Sequence, residues 1–327
     1  MRLRFDRKSL NKGRDSLAFY VKGFWHYYLP GFIGRWSHSR ALARLRSTSL
    51  QTVAEDRVGY YLRLPDGAKL DEDNAVRISE FKYPFGQKKK YATYFFDLYD
   101  ALRVFPGHLK FSRLFGDVNH EPSSPTFVKT RPITPGITNG VLMPLNTVRH
   151  FRFVTDPLTF SEKKDMIVFR NVVFGQPHRL KFLQMWYGHP MVDAGQINTN
   201  WGDPDRYLKP YMTIDEQLGY KFVACIEGND VATNLKWVMS SNSVAVMPRP
   251  KFESWFMEGT LKPGVHYIEV ADDYSDLAEK LQYYIDHPAE AEEIIRSAHE
   301  YVSRFRDRDF ECTVARMVAD RYFKLTN

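Results

Sequence analysis

The sequence predicts an α/β protein whose C-terminal half builds a parallel sheet covered on both faces. Three observations lead there. From Asp165 onward, short continuous apolar runs alternate with helix-length segments, the pattern of strands buried between helical layers. A chain of 327 residues is long enough for two cored domains, at roughly 100–200 residues each. Hydrophobic residues at 43% and charged residues at 26% describe an ordinary globular protein.

Each element follows from its local pattern. Met166–Arg170, Tyr220–Ile226, Ser243–Met247 and Tyr267–Val270 read as strands, being short apolar runs bounded by turn residues. Helices are expected over Arg179–Gly188, started by Pro177, and over Ala232–Met239. Two more cover Ser275–Asp286, with Ser275 as N-cap, and Ala289–Phe305 after Pro288. Val314–Phe323 closes the chain as a last helix. Upstream the pattern is mixed. The aromatic run Tyr91–Tyr99 leads into Asp100–Leu102, and Leu109–Leu114 reads as a strand or short helix. A Pro- and Gly-rich loop, Glu121–Gly136, precedes Val141–Leu145. The expected divisions are an arm over 1–46, a domain over 47–155, a second over 156–305 and a terminal helix over 306–327.

Charge is unevenly placed. The net is +7, yet residues 1–50 hold eleven Lys/Arg against Asp6 and Asp15, a local +9, which leaves the body at −2. A basic arm on a near-neutral body points to an anionic surface or acidic substrate. The body shows no RNP-like or KH-like motif, so no nucleic-acid partner is expected. Between Leu17 and Trp36 the arm is dense in aromatics. Lys22, His26 and Pro30 interrupt it, so it reads as neither a membrane span nor a signal peptide. A helix lying in a membrane interface and a helix packed on the body both fit. Only Cys225 and Cys312 are present, without metal-ligand spacing. Neither a disulfide framework nor a zinc site is expected, and a reducing compartment fits.

In parallel α/β sheets, ligands bind outside the carboxyl ends of strands. After Tyr220–Ile226 come Glu227-Gly228-Asn229-Asp230-Val231-Ala232-Thr233-Asn234-Leu235-Lys236. A glycine followed by small and polar residues opening a helix lets backbone amides approach an anion, and Lys236 adds a point charge. A capped helix with no ligand fits the same spacing. After Met166–Arg170 the loop to Arg179 places Arg170 and Arg179 near the strand end, and arginine forks suit phosphate. No Asp-x-Asp motif stands at a strand end in this half, so no metal is expected.

Four segments carry a resemblance: Lys221–Pro248 (KFVACIEGNDVATNLKWVMSSNSVAVMP), Trp255–Val270 (WFMEGTLKPGVHYIEV), Val168–Arg179 (VFRNVVFGQPHR) and Phe115–Ile133 (FGDVNHEPSSPTFVKTRPI). Together they resemble glycosyl transferase family 90, most closely its bacterial lipopolysaccharide branch. The resemblance implies a GT-B fold, two Rossmann-like domains facing a cleft, with a nucleotide-sugar in the C-terminal one. It further implies inversion at the anomeric carbon without metal or other cofactor, and an aspartate base at the position of Asp117. By the same carry-over, Gly228, Asn229, Asp230, Val231, Ala232, Thr233 and Asn234 line the diphosphate and sugar. Arg170 and Arg179 meet the phosphates, and Glu253 and Glu258 hold the ribose. The eukaryotic members carry an arginine where this chain has Asn234, so Arg179, Lys236 or the helix dipole must neutralise the leaving diphosphate. His120, Lys129, Arg131 and Asn139, in loops around Asp117, are the candidates for orienting the acceptor.

The implied function is transfer of a hexose, glucose or galactose, from a UDP-sugar to a lipopolysaccharide core acceptor. The expected location is the cytoplasmic membrane face, with an anionic membrane surface as a further partner. The alternatives are a protein or capsule-polysaccharide acceptor, or an inactive scaffold in surface-polysaccharide synthesis.

Overall fold

A computed structural model describes residues 7–46, 48–85, 91–136 and 138–327, with side chains from residue 16 on. Arg2, Arg4 and the side chains of Arg7, Lys8, Lys12 and Arg14, counted above in the basic arm, lie outside that description. The chain forms two units: residues 1–151 with 252–256 and 307–327, and residues 152–251 with 257–306.

The first unit opens with helices α1 (Arg7–Tyr28), α2 (Gly31–Arg46) and α3 (Leu50–Tyr61). Strand β1 (Val76–Arg77) and helix α4 (Ala92–Leu102) follow, then β2 (Lys110–Leu114), β3 (Thr126–Val128), β4 (Thr130–Pro132), β5 (Gly140–Leu142) and α5 (Thr147–His150). The order β1-β2-β3-β5 makes one sheet, antiparallel only at β1. The aromatic run at 91–99 is helical. Tyr94, Phe95, Leu98, Ala101 and Leu102 are buried at spacings of three and four, so this is an amphipathic stripe despite its strand-favouring residues. The expected loop 121–136 contains two strands, β3 and β4. Its Pro and Gly positions flank short pairings that only partners distant in sequence complete. For β4 that partner is β10 (Phe252–Ser254), antiparallel, with Arg131 opposite Glu253. The last helix of the chain, α12 (Arg308–Thr326), also belongs here and packs on α3 and α4. Asp307 caps it, accepting from the Asp309 and Phe310 amides at 2.9 and 3.0 Å.

The second unit holds a five-stranded sheet, parallel throughout. Its strands are β6 (Lys164–Asn171), β7 (Val192–Gln196), β8 (Tyr220–Ala224), β9 (Val244–Met247) and β11 (Ile268–Glu269), in the order β11-β9-β8-β6-β7. Every residue of β8 and β9 is buried, as a sheet covered on both faces requires. Helices α6 (Pro177–Trp186), α10 (Leu277–Asp286) and α11 (Pro288–Ser303) pack on β7, β6 and β9. Their apolar sides share one core with Phe169, Phe222, Val246 and Ile268. Short helices α7 (Pro204–Tyr207) and α8 (Ile214–Gln217) occupy the link from β7 to β8.

Three local readings change here. The helix expected over 232–239 is only α9 (Leu235–Val238). The preceding residues are taken up by backbone turns, with the Gly228 amide donating to the Asp230 carbonyl at 2.9 Å. Ser275 does not cap α10: its hydroxyl donates to Asp273 at 2.7 Å, and Asp276 is the cap residue. Strand β7 carries no clear strand signal, because Asp193 and Gly195 break its apolar run.

Candidate active site

The second unit has its topological switch between β6 and β8. From β6 the chain passes outward to β7, then returns to the other side of β6 at β8. Loops leaving such neighbouring strands diverge, and the crevice at their carboxyl ends is where α/β sheets hold ligands. The two loops are the ones the sequence singled out, 172–176 after β6 and 225–234 after β8.

Arg179, in the first turns of α6, ties these loops together. Its guanidinium donates to the carbonyls of Ile226, Glu227 and Val172, each at 2.8 Å. Gln176 donates to Asn229 Oδ1 at 3.0 Å, and His178 Nε2 lies 2.8 Å from the Glu227 carbonyl. Burial holds the His178 imidazole below its usual range, so it is neutral at pH 7. Gly228 has a local reason: a Cβ there would stand 3.2 Å from the Arg179 guanidinium. The close approach read as room for an anion is thus room for this arginine. Asn234 donates to the Ala224 carbonyl at 3.0 Å and holds the loop to its own strand. Val231 and Ala232 are buried, Asp230 nearly so, and Thr233 is half-buried.

Three charges read as donor contacts have internal partners. Lys236 is fully buried with its ammonium 2.7 Å from the buried Glu258 carboxylate. Arg170 donates to Asp193 Oδ1 at 2.6 Å and to the Asp193 carbonyl at 2.7 Å. Asp193 also accepts from Lys209 and Tyr220, and these bonds hold its carboxyl well below the usual range against the opposing effect of burial. A four-residue α9 aligns few peptides for a macrodipole, so the helix after β8 adds little to diphosphate neutralisation. Positive charge that sequence reasoning passed over stands just after β9. Arg249 and Lys251 are exposed there and pair at the surface with Glu269 and Asp272. The Asp-x-Asp of this half, Asp203-Pro204-Asp205, lies in the connection after β7, where Asp203 caps α7 by accepting from the Arg206 amide at 3.3 Å. Among the described residues no group of three His, Cys, Asp or Glu is arranged to hold a metal ion.

In the first unit, Asp117 follows Gly116, whose φ of +110° favours glycine. A Cβ at Gly116 would stand 3.2 Å from the Tyr91 hydroxyl. The Asp117 side chain is 41% exposed and its Oδ1 lies 2.7 Å from Lys129 Nζ. Lys129 is itself 2% exposed, at the end of β3, with its ammonium 5.9 Å from the Tyr94 ring centroid. A buried ammonium thus anchors a carboxylate that reaches solvent. His120 is exposed nearby. Asn139 donates to the Pro122 carbonyl, and its amide donates to Glu121, so it fastens the loop.

Arg131 and Glu253, assigned from sequence to acceptor and ribose, meet inside the first unit. Arg131 Nε donates to Glu253 Oε1 at 2.8 Å, and the two side chains are 0% and 1% exposed. The remaining Arg131 nitrogens donate to the carbonyls of Tyr60, Tyr61 and Gly140. Glu253 also accepts from Arg63 and from the Tyr60 hydroxyl. Burial and the Glu253 carboxylate together raise the Tyr60 hydroxyl far above its usual range. Nothing in the sequence near 131 or 253 signalled this pairing, since it depends on β4 meeting β10.

Residues 150–325 match the description Glycosyl transferase family 90. The chain is 39% identical over 315 residues to O-glucosyltransferase LpsA of Dichelobacter nodosus, covering 95% of this chain and 96% of that protein. Two shorter similarities are to Protein O-glucosyltransferase 2 of Danio rerio and to Uncharacterized protein 027R of Frog virus 3 (isolate Goorha). The first is 33% identical, over 34% of this chain and 23% of that protein. The second is 30% identical, over 46% of this chain and 19% of that protein. The near full-length likeness, joined to the family match across the parallel-sheet unit, shows that this chain belongs to glycosyl transferase family 90 and is a glycosyltransferase.

Proposed function

We propose that the protein is an inverting hexosyltransferase that moves glucose or galactose from a UDP-sugar to a lipopolysaccharide core acceptor at the cytoplasmic membrane face. In this reading the two units are the acceptor and donor domains of a GT-B enzyme. The observation that carries it is the switch point between β6 and β8, flanked by the loops 172–176 and 225–234. The near full-length relative named O-glucosyltransferase supports glucose as the sugar.

The chemistry is a single displacement. The acceptor hydroxyl oxygen forms a bond to the anomeric carbon while the bond from that carbon to the diphosphate oxygen breaks, and UDP leaves with the electron pair. The Asp117 carboxylate takes the hydroxyl proton, a role worth about 10²–10⁴-fold in rate. Lys129 fixes that carboxylate's direction from beneath. Charge developing on UDP needs fixed cations, usually the largest catalytic contribution. In the donor unit Arg179, Arg249 and Lys251 supply them beside the carboxyl ends of the strands.

The test is a paired one. Purified protein given UDP-glucose or UDP-galactose and truncated core oligosaccharide should release UDP and lengthen the oligosaccharide by one hexose. Core from a strain lacking the gene should be lighter by at least that hexose. An unchanged core mass together with no UDP release would remove this reading. A protein acceptor is the second reading, favoured by the name of the Danio rerio relative over 118 matched residues. Label from UDP-sugar appearing in protein and not in the oligosaccharide would establish it.

A further inference from the structure

Helix α1 has two apolar faces, and the body covers one of them. On the inner face Phe24 meets Phe96 at 4.8 Å between ring centroids and Tyr27 meets Tyr99 at 5.0 Å. His26 Nδ1 lies 2.6 Å from Asp100, and Arg103 donates to the Leu29 carbonyl at 2.9 Å. The arm is therefore docked on its own unit. Its outer face is another matter. Leu17, Val21, Trp25, Tyr28, Phe32 and Trp36 are each 61–71% exposed. Leu17, Val21, Trp25 and Tyr28, at spacings of four, four and three, form one seam on α1, and Phe32 and Trp36, four apart, form a second on α2 just past the break at Pro30. Monomer surfaces rarely leave a contiguous large apolar strip uncovered.

The charge beside the seams indicates what covers them. From Ser16 to Ala54 the chain holds no Asp or Glu, while Lys22, Arg35, Arg40, Arg44 and Arg46 are all exposed. Lys22, Arg40, Arg44 and Arg316 border one cavity of about 510 Å³ together with Asp100, Asp307 and Asp309, so its own lining is of mixed charge and the excess of bases lies on the exposed helix surfaces beside it. The Arg40 guanidinium stacks over the Trp36 ring at 4.5 Å. Trp and Tyr at the water boundary, aliphatics between them and bases alongside are the composition of a helix lying in an anionic bilayer surface. Among the described residues no helix is long and apolar enough to cross a membrane.

We propose that the outer face of α1–α2 is an interfacial docking surface for an anionic phospholipid bilayer. The seams enter the headgroup–acyl boundary, and the exposed Lys22, Arg35, Arg40, Arg44 and Arg46 meet lipid phosphates. This deepens the membrane-face part of the proposed function and rests on none of its chemistry. Hydrophobic insertion and charge attraction then separate experimentally, because salt screens only the second.

The experiment is co-sedimentation of the full chain with vesicles of phosphatidylcholine alone or mixed with phosphatidylglycerol, at low and high salt. No substrate is present, so failure here leaves hexosyl transfer untouched, and loss of transfer leaves this result untouched. The wild type should pellet with the mixed vesicles and only weakly with phosphatidylcholine. The triple variant Trp25→Ser, Tyr28→Ser, Phe32→Ser should bind at least ~10-fold more weakly at either salt, since several large apolar side chains no longer enter the interface. These side chains are exposed, so its thermal unfolding should match the wild type. The variant Arg35→Glu, Arg40→Glu, Arg44→Glu should lose the preference for phosphatidylglycerol. Equal pelleting of the Ser variant and the wild type would overturn the proposal. So would a wild type that ignores vesicles and forms a dimer abolished by the Ser variant, which would assign the seams to a second copy of the chain.

Discussion

Replacing Glu253 by Gln separates a structural carboxylate from a ligand-binding one. In the wild type Glu253 Oε1 accepts from Arg131 at 2.8 Å and Arg63 at 3.1 Å, and Oε2 accepts from the Tyr60 hydroxyl. Burial already lowers the Arg131 guanidinium from its usual range, and the Glu253 charge is what opposes that shift. Glu253→Gln keeps the shape and removes the charge, which leaves a fully buried guanidinium bonded only to neutral groups. Breaking a buried ion pair from one side costs about 3–5 kcal/mol, a large part of a stability of roughly 5–15 kcal/mol. With a urea dependence near 3 kcal/mol/M, the denaturation midpoint should fall by about 1–2 M. The double variant Arg131→Met, Glu253→Met should recover much of that loss, because apolar replacement of both partners is often close to neutral. Urea titration followed by far-UV circular dichroism measures all three proteins. A midpoint unchanged by Glu253→Gln, with a raised KM for the nucleotide-sugar, would refute the structural role and return Glu253 to the ribose.

Asp117→Asn should lower kcat by about 10²–10⁴-fold with little change in nucleotide-sugar affinity; turnover near the wild-type value removes Asp117 from the mechanism. Activity should persist in excess chelator, and activity abolished by chelator and restored by magnesium or manganese would direct attention to Asp203 and Asp205. Desolvation pushes the Asp97 carboxyl up to about 7 from 3.8, although Thr147 donates to it twice, at 2.8 and 2.7 Å. The folded state thus holds this proton more tightly than the unfolded one. Its contribution to stability is full below about pH 4 and is lost as pH rises through about 7. Asp97→Asn should flatten that part of the profile, and urea midpoints that fall equally in both proteins between those limits would contradict the assignment.

Much of the parallel-sheet unit was legible because its signals are local. Val244–Met247 is an unbroken apolar run and Tyr220–Ala224 is broken only by Lys221, as strands buried on both faces require. Pro177 and Pro288 mark helix starts by fixing φ where no amide partner is required. Asp193 and Gly195 hid β7 because both residues usually mark turns, while the buried Val192 and Ala194 show only once β6 lies alongside. The aromatic run that became α4 showed a helical period only when burial was known at Tyr94, Leu98 and Ala101.

The class of the C-terminal sheet, the strand-end loops and the family are legible along the chain, since motif order and hydrophobic period are local. The basic and aromatic character of the arm is legible in the same way. Tertiary structure decided what individual charges do. Lys236 has the local setting of a phosphate contact, yet its ammonium donates to Glu258, 22 positions away. Arg131 and Glu253, 122 positions apart, became a pair only through the register of β4 with β10. The arm's aromatics divided into a covered and an open face only when α4 lay beneath α1. A charge or a ring carries no mark of its partner in its own neighbourhood. The free energy of burying it is settled by whatever the fold brings within a few ångströms, and that is a property of the packed chain.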